Sequence, residues 1–351
     1  MERLIIDKNF CMSSYLAFRY IAAPGVGFSE NLVPEYPKKA TPDIKGVATA
    51  NDIECVIQEI LAEKLDEHTG ILLSGGMDSA IIASYLPAGT KAYSIRFEAP
   101  NAVDETVMAQ KYAEYCDLDF HVVEVTWADY LASAPSLMRS RKAPLHQIEG
   151  AVYKAAVTAK ADHIDKLLMG NGADYLFGGL TGLLSKDWTF EELVQRYTII
   201  FPEAALRVPV SVRPVYERFR TGPDSIDFFG FLEKIHGIAS IPSFSNPLHS
   251  AGITEIEPYE HMHMTEPLDI ARIRRGESKY LIRELFSRRF PDIVPPDKIP
   301  FKRPMEQWLM GWRGPERPEF IAGCTDSMSG DQKWLIFCLE WFLNLMDSGE
   351  L

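Results

Sequence analysis

The run ILLSGGMDSAIIASYL (71–86) stops an apolar segment at a serine and two glycines, then sets a carboxylate two residues on. Gly75 and Gly76 carry no side chains, so backbone N–H groups there can close on an anion. Ser74 and Ser79 add hydroxyl donors. The helix predicted to begin near Asp78 turns the positive end of its dipole toward the same point. An anion alone would be repelled by Asp78. A polyphosphate carrying Mg2+ would not, because Mg2+ takes carboxylate oxygens together with phosphate oxygens. The segment reads as a pyrophosphate cradle with a metal. It is not a Walker loop, which needs a lysine after its last glycine.

Such a loop needs a strand before it and a helix after it. Ile71–Leu73 is the short apolar strand, and 80–86 is helical. KAYSIRF (91–97) is strand-like. The stretch 103–116 is helical, with Val103, Val107, Tyr112 and Tyr115 roughly on one face. A strand at 120–125, helices near 127–139 and 147–161, and KLLMGNG (166–172) running into glycine complete the series. Ahead of it lies a helix from Asn51, with Ile53, Val56, Ile57, Ile60, Leu61 and Leu65 in register and Asn51 or Asp52 as cap. Strands alternating with helices imply parallel pairing and right-handed crossovers. The fold class expected is α/β, a parallel sheet of about five strands with helices on both faces, followed by a mostly helical C-terminal part. Clear strands end near residue 182. The division read is an N-terminal arm (1–50), an α/β core (51–181) and a mainly helical substrate-side region (182–351).

Composition narrows the partners. Acidic residues (49) outnumber lysine plus arginine (36) in 351 residues, for a net charge of −13. Proteins that live on nucleic acid or anionic membrane usually carry the opposite sign, so neither is expected as a partner. The longest apolar runs are broken by charge, proline or glycine, and no span of about 20 apolar residues occurs. The five cysteines, Cys11, Cys55, Cys116, Cys324 and Cys338, lack metal-ligand spacing and read as small buried residues of a reduced, cytoplasmic protein. His261 and His263 in EHMHM lack a further ligand for a metal. The aromatic run DFFGFLEKI (227–235) reads as helix core.

The SGGMDS hexapeptide resembles the hallmark of the PP-loop, or N-type ATP pyrophosphatase, superfamily. Its members cut ATP between the α- and β-phosphates and transfer AMP to a substrate oxygen. GNGADYLFGGL (170–180), after KLLM, resembles the GDGADELFGGY segment of asparagine synthetase-like enzymes. Around it, KAYSIRFEAPNAVDETVMAQKYAEYCDLDFH resembles that family's second strand, its DE-containing helix (Asp104, Glu105) and a following histidine (His121). KYLIRELFSRRFPDIVPPDKIPFKRPMEQWL (279–309), ITEIEPYE (253–260), YLAFRYIAAPG (15–25) and WLIFCLEWFL also look like segments of that family.

The resemblance implies roles for particular residues. Ser74, Gly75, Gly76 and Ser79 would hold the pyrophosphate, with Gly170, Asn171 and Gly172 beside ATP. Asp78 and Asp174 would bind Mg2+ from two strand ends. Adenine would lie against the backbone of Leu73 and Ile95. Lys298 would approach the α-phosphate, Lys279 is a second phosphate contact, and Glu255 would orient or deprotonate the amine. The activity implied is an ATP-dependent, AMP-forming ligase that adenylates a small-molecule carboxylic acid and passes the acyl group to ammonia or an amine. Two alternatives are an intramolecular lactam-forming synthetase, and an altered subunit that binds or regulates. The chain departs from the family at two points. Residue 2 is Glu and about 70 residues precede SGGMDS, so no glutaminase domain with a cysteine nucleophile is expected. Nitrogen would come from free ammonia, from a separate nitrogen-donating subunit, or from an amine of the substrate or a second substrate; the partner expected beyond small molecules is such a subunit or a further copy in a homo-oligomer. Asn171 and Tyr175 replace two acids of GDGADE, which should change what meets the acyl-adenylate.

Overall fold

The structure is a computed structural model that describes residues 4–34, 44–240, 242–294 and 302–351. In chain order, helices α1 (Lys8–Phe18) and α2 (Ala50–Lys64) lead into strand β1 (Thr69–Leu72) and helix α3 (Met77–Ala83). β2 (Lys91–Phe97), α4 (Thr106–Tyr115), β3 (Asp119–Val125), α5 (Trp127–Arg141) and α6 (Glu149–Ala161) follow. β4 (Lys166–Leu168) runs into α7 (Ala173–Leu176). Further on lie α8 (Pro242–Ser250), β5 (Thr254–Ile256), α9 (Tyr280–Arg289) and α10 (Gly330–Asp347).

The five strands form one parallel sheet in the order β3-β2-β1-β4-β5. Alternate residues of a strand face opposite sides, and here each side has its own core. Tyr93 and Leu167 pack into a cluster with α1, α5, α6 and α10. Their neighbours Ala92 and Leu168 pack into another with α2, α3, α4 and α9. The expected sheet with helices on both faces is what the chain builds. The chain leaves β1 toward β2 and β3 and returns to β4 on the other side, so the crevice where ligands collect in such sheets opens beyond β1 and β4.

Several local readings change. No strand was expected past 182, yet Thr254–Ile256 forms the sheet edge beside β4, and Met262–Met264 pairs with Lys45–Val47. Three residues are too few to show a period of two. The arm read at 1–50 contains α1, whose Cys11–Phe18 run is buried throughout. A helix apolar on every side shows no 3.6-residue pattern. α2 is capped by Thr49, whose side chain exchanges hydrogen bonds with Asp52. In α4 the buried face is Thr106, Ala109, Tyr112 and Ala113, while Val103, Val107 and Tyr115 are exposed; the small alanines, not the valines, lie against the sheet. In the aromatic run Phe231, Leu232 and Ile235 are buried but Phe229 is exposed. All five cysteines are free, but only Cys11 and Cys338 are buried; Cys116 and Cys324 are half-buried and Cys55 is exposed. Among the described residues no helix is long and apolar enough to cross a membrane.

Candidate active site

The glycine loop leaves β1 and turns into α3. Leu73 N–H still donates to Tyr93 O at 2.8 Å, so the strand pairing carries to the lip of the loop. Beyond it the two serines brace the turn. Ser74 N–H donates to Ser79 Oγ at 3.1 Å, the two hydroxyls lie 3.0 Å apart, and Gly76 N–H donates to Ser74 Oγ at 3.2 Å. A Cβ on Gly75 would stand 3.0 Å from Glu105 O, at the start of α4, so this glycine permits close packing. A Cβ on Gly76 would meet only Ser74 Oγ.

The second loop leaves β4 and packs directly on the first. A Cβ on Gly170 would lie 2.8 Å from Ser79 N and 3.0 Å from Asp78 Cβ. That contact sets Asp78, at the start of α3, and Asp174, at the start of α7, on opposite sides of one point. Lys279 Nζ occupies it, 2.5 Å from Asp78 Oδ2 and 2.7 Å from Asp174 Oδ1. Burial alone would drag the Lys279 ammonium down, and the two carboxylates outweigh it, so the group stays charged. Lys279 itself sits in the left-handed region, φ 51°, immediately before α9. Gly179 must be a glycine for this arrangement, since a Cβ there would collide with Asp174 Oδ1 and Lys279 Cε.

Two carboxylates that converge on one cation fit a site for Mg2+ shared with phosphate oxygens. Among the described residues no group of three or more His, Cys, Asp or Glu side chains could hold a metal alone.

Opposite the glycine loop, the two residues that break the GDGADE pattern each hold a carboxylate. Asn171 Nδ2 donates to Glu257 Oε1 at 2.8 Å, and Tyr175 OH donates to Glu260 Oε2 at 2.7 Å. Burial first, then Glu257 and Glu233, push the Tyr175 phenol far above its ordinary value, so it remains a proton donor. Tyr259 OH donates to Asp78 O at 3.0 Å and ties this turn to the phosphate side.

Leu73 to Asp78, Ser79, Ile95, Gly170 to Gly172, Asp174 and Lys279 all line one cavity of about 470 Å³, together with Glu257 and Glu260. Its apolar wall comes from Met108, Ile148, Val152, Met169 and Phe244. Glu255 does not line it. On β5 its side chain turns to His249, with Nε2–Oε2 at 2.6 Å, while Ile256 turns into the core. The carboxylate that reaches Asn171 is two residues on. Lys298 lies outside the described residues. His121 pairs with Asp119 at 3.0 Å and stacks on Tyr93, off the cavity.

Glu105 was legible only as half of a DE pair. It lines the cavity, one carboxylate oxygen has no partner, and burial pushes its pKa up to about 7, against the pull of Gly75 N–H and Arg303. Glu257 and Glu260 were visible only as acids within ITEIEPYE (253–260), with no role read for either.

Fold and site together define an α/β protein with an SGGxDS loop at the switch point of a parallel sheet. Residues 56–227 match the asparagine synthase family model. Among curated proteins, "Amidase chry2" of Gibberella zeae is 26% identical over 169 residues, covering 41% of this chain and 25% of that protein. "Amidase chyE" of Penicillium rubens is 24% identical over the same shares. The aligned stretch thus spans about a quarter of the length of these relatives. Among solved structures, the U34-tRNA thiolase NcsA from Methanococcus maripaludis with its 4Fe-4S cluster matches with a TM-score of 0.31 and 12% identity, over 84% of this chain and 80% of that one.

Proposed function

We propose that this chain is an ATP-dependent, AMP-forming amide ligase for a small carboxylic acid. The observation that carries the reading is the meeting of Asp78 and Asp174, from adjacent strand ends, at one cationic point beside the SGG loop, with the Asn171–Glu257 and Tyr175–Glu260 pairs in the same cavity.

A carboxylate is a poor electrophile, and its oxygen a poor leaving group. In the proposed reaction a carboxylate oxygen attacks the α-phosphorus of ATP, the bond to the β-phosphate oxygen breaks, and pyrophosphate leaves. The amine nitrogen then attacks the acyl carbon, the bond to AMP breaks, and the amine proton passes to a carboxylate. Backbone N–H groups of Gly75 and Gly76 receive phosphate oxygens, and Leu73 and Ile95 flank the adenine. Asp78 and Asp174 would hold Mg2+, which when bound neutralises phosphate charge. Lys279 then turns its ammonium from the carboxylates to a phosphate oxygen. Glu257, oriented by Asn171, takes the amine proton, the role that the family resemblance implied for Glu255. Catalysis by this chain is chiefly alignment and preorganised charge.

Two relatives bear the name amidase, which denotes chemistry at an amide bond. The SGGMDS loop favours making that bond at the expense of ATP over hydrolysing it. The test is ATP–pyrophosphate exchange that depends on added carboxylic acid. Exchange in the absence of acid, or none with any acid in a broad panel, counts against the reading.

A further inference from the structure

The cavity has two ends of different chemistry. Among the described residues the lysine and arginine that line it are Lys279 and Arg283, both at the start of α9. Lys279 lies between Asp78 and Asp174, and Arg283 Nε donates to Ser278 O at 2.9 Å. The other end is bounded by Met169 and Glu257, just past β4 and β5, and by α8. Its charged groups are carboxylates: Glu257 and, across Tyr175, Glu260. A second anion on a substrate would meet those carboxylates there, and a buried charge without a partner is costly.

The rest of that end is apolar. Met169 N–H donates to Ile256 O at 3.0 Å, so β4 still pairs with β5 where Met169 reaches the cavity. Its sulfur lies 4.0 Å from Asn171 Nδ2, which holds Glu257. Apolar surface therefore begins beside the proposed proton acceptor. Phe244 continues it from α8. Two residues on, Asn246 Nδ2 donates to Glu149 Oε2 at 2.7 Å, and Glu149 is held by Arg141 at 2.6 Å. That tie docks α8 on the start of α6, where Ile148 precedes Glu149. Phe244, Ile148 and Met169 thus form one apolar wall, backed by a single core. Gly237 lines the cavity too, buried at the end of a π-helical turn (Leu232–Gly237). Apart from the adjoining backbone of its own turn, the nearest atom to a Cβ placed there is Leu232 O, at 3.8 Å. The space that a side chain would take is cavity.

We propose that this wall receives the tail of the acid to be activated, that the acid is an apolar monocarboxylic acid, and that Gly237 sets how long its tail can be. The proposal rests on the ligase reading for placing the carboxylate at the phosphate end; the binding of an apolar acid does not depend on it. The tail leaves the reacting carboxylate past Glu257 and lies along Met169, Phe244 and Ile148. Its binding comes from apolar area removed from water.

Isothermal titration of the full chain with straight-chain monocarboxylates from propanoate to octanoate tests this, with a non-hydrolysable ATP analogue and Mg2+ present and with succinate and aspartate as comparisons. Affinity should rise about fourfold for each buried CH2 until the tail reaches Gly237, and fall beyond it. Succinate and aspartate should bind about tenfold or more weakly than butanoate, which has the same number of carbons, because each adds charge that the wall leaves unpaired. Gly237→Leu should move the optimum to a shorter acid. Should that variant fail to fold, Phe244→Ala, which widens the same end, should move the optimum to a longer one. Tighter binding of succinate or aspartate than of butanoate, affinity independent of tail length, or an optimum that neither variant moves overturns the proposal. Tail-length dependence that is intact while acid-dependent ATP–pyrophosphate exchange is absent overturns the ligase reading instead and leaves the apolar pocket standing.

Discussion

At the residue scale the site separates into two halves that mutation can tell apart. Glu257→Gln should lower amide formation on the order of 10²–10⁴-fold while acid-dependent ATP–pyrophosphate exchange persists, because the substitution removes the proton acceptor and leaves the phosphate loop intact. Asp78→Ala should cost both reactions about a hundredfold or more, with circular dichroism unchanged. Glu105 gives a pH signature. Burial raises its folded pKa to about 7, above the ordinary glutamate value of 4.5, so the folded state holds the proton longer and stability declines as pH rises from about 4.5 through 7. Glu105→Gln should therefore melt higher than the parent above pH 7, and the gap should close toward pH 4.5. SGGMDS was legible because its chemistry is local: glycine, hydroxyl and carboxylate stand at fixed offsets in one turn. Glu257 and Glu260 were not, because their place depends on how a three-residue strand and a short turn dock beside Asn171 and Tyr175. A slip of two residues separates Glu255 on the outer edge from Glu257 in the cavity.

At the element scale the decisive contact is loop on loop. Gly170 lets the turn after β4 lie on the backbone of Ser79. Gly170→Ala forces the two turns apart at backbone atoms that cannot rotate away. It should cost about 1–3 kcal/mol of stability by urea denaturation and weaken ATP-analogue binding, which Gly89→Ala, at an open surface turn, should leave intact. The alternation of strands and helices from 71 to 168 was readable because its longer elements show their period, and its short strands Thr69–Leu72 and Lys166–Leu168 are apolar runs that end in glycine loops. The strand Lys91–Phe97 matches its expected limits. α4 shows the limit of that reading: valine at helical spacing suggested a buried face, but close approach to the sheet selects alanine at 109 and 113.

At the scale of the whole molecule, residues far from the α/β run belong to its core. α1 packs in one cluster with α5, α6 and α10, and α9 completes the other. Leu16, fully buried on α1, should cost about 2–5 kcal/mol when replaced by alanine, measured as one cooperative urea transition rather than the loss of a separate arm. Burial on all sides is why this helix gave no amphipathic signal. The net charge of −13 sits around a cavity that itself carries Glu105, Glu257 and Glu260, and ATP consumption should not respond to added RNA. What the chain does to ATP is the central claim. Incubation with ATP, Mg2+, a broad panel of 18O-labelled carboxylic acids and an amine, followed by mass spectrometry of the nucleotide, should yield AMP and pyrophosphate with one 18O atom from the acid carried into AMP; ADP and inorganic phosphate, or AMP free of label, would contradict it.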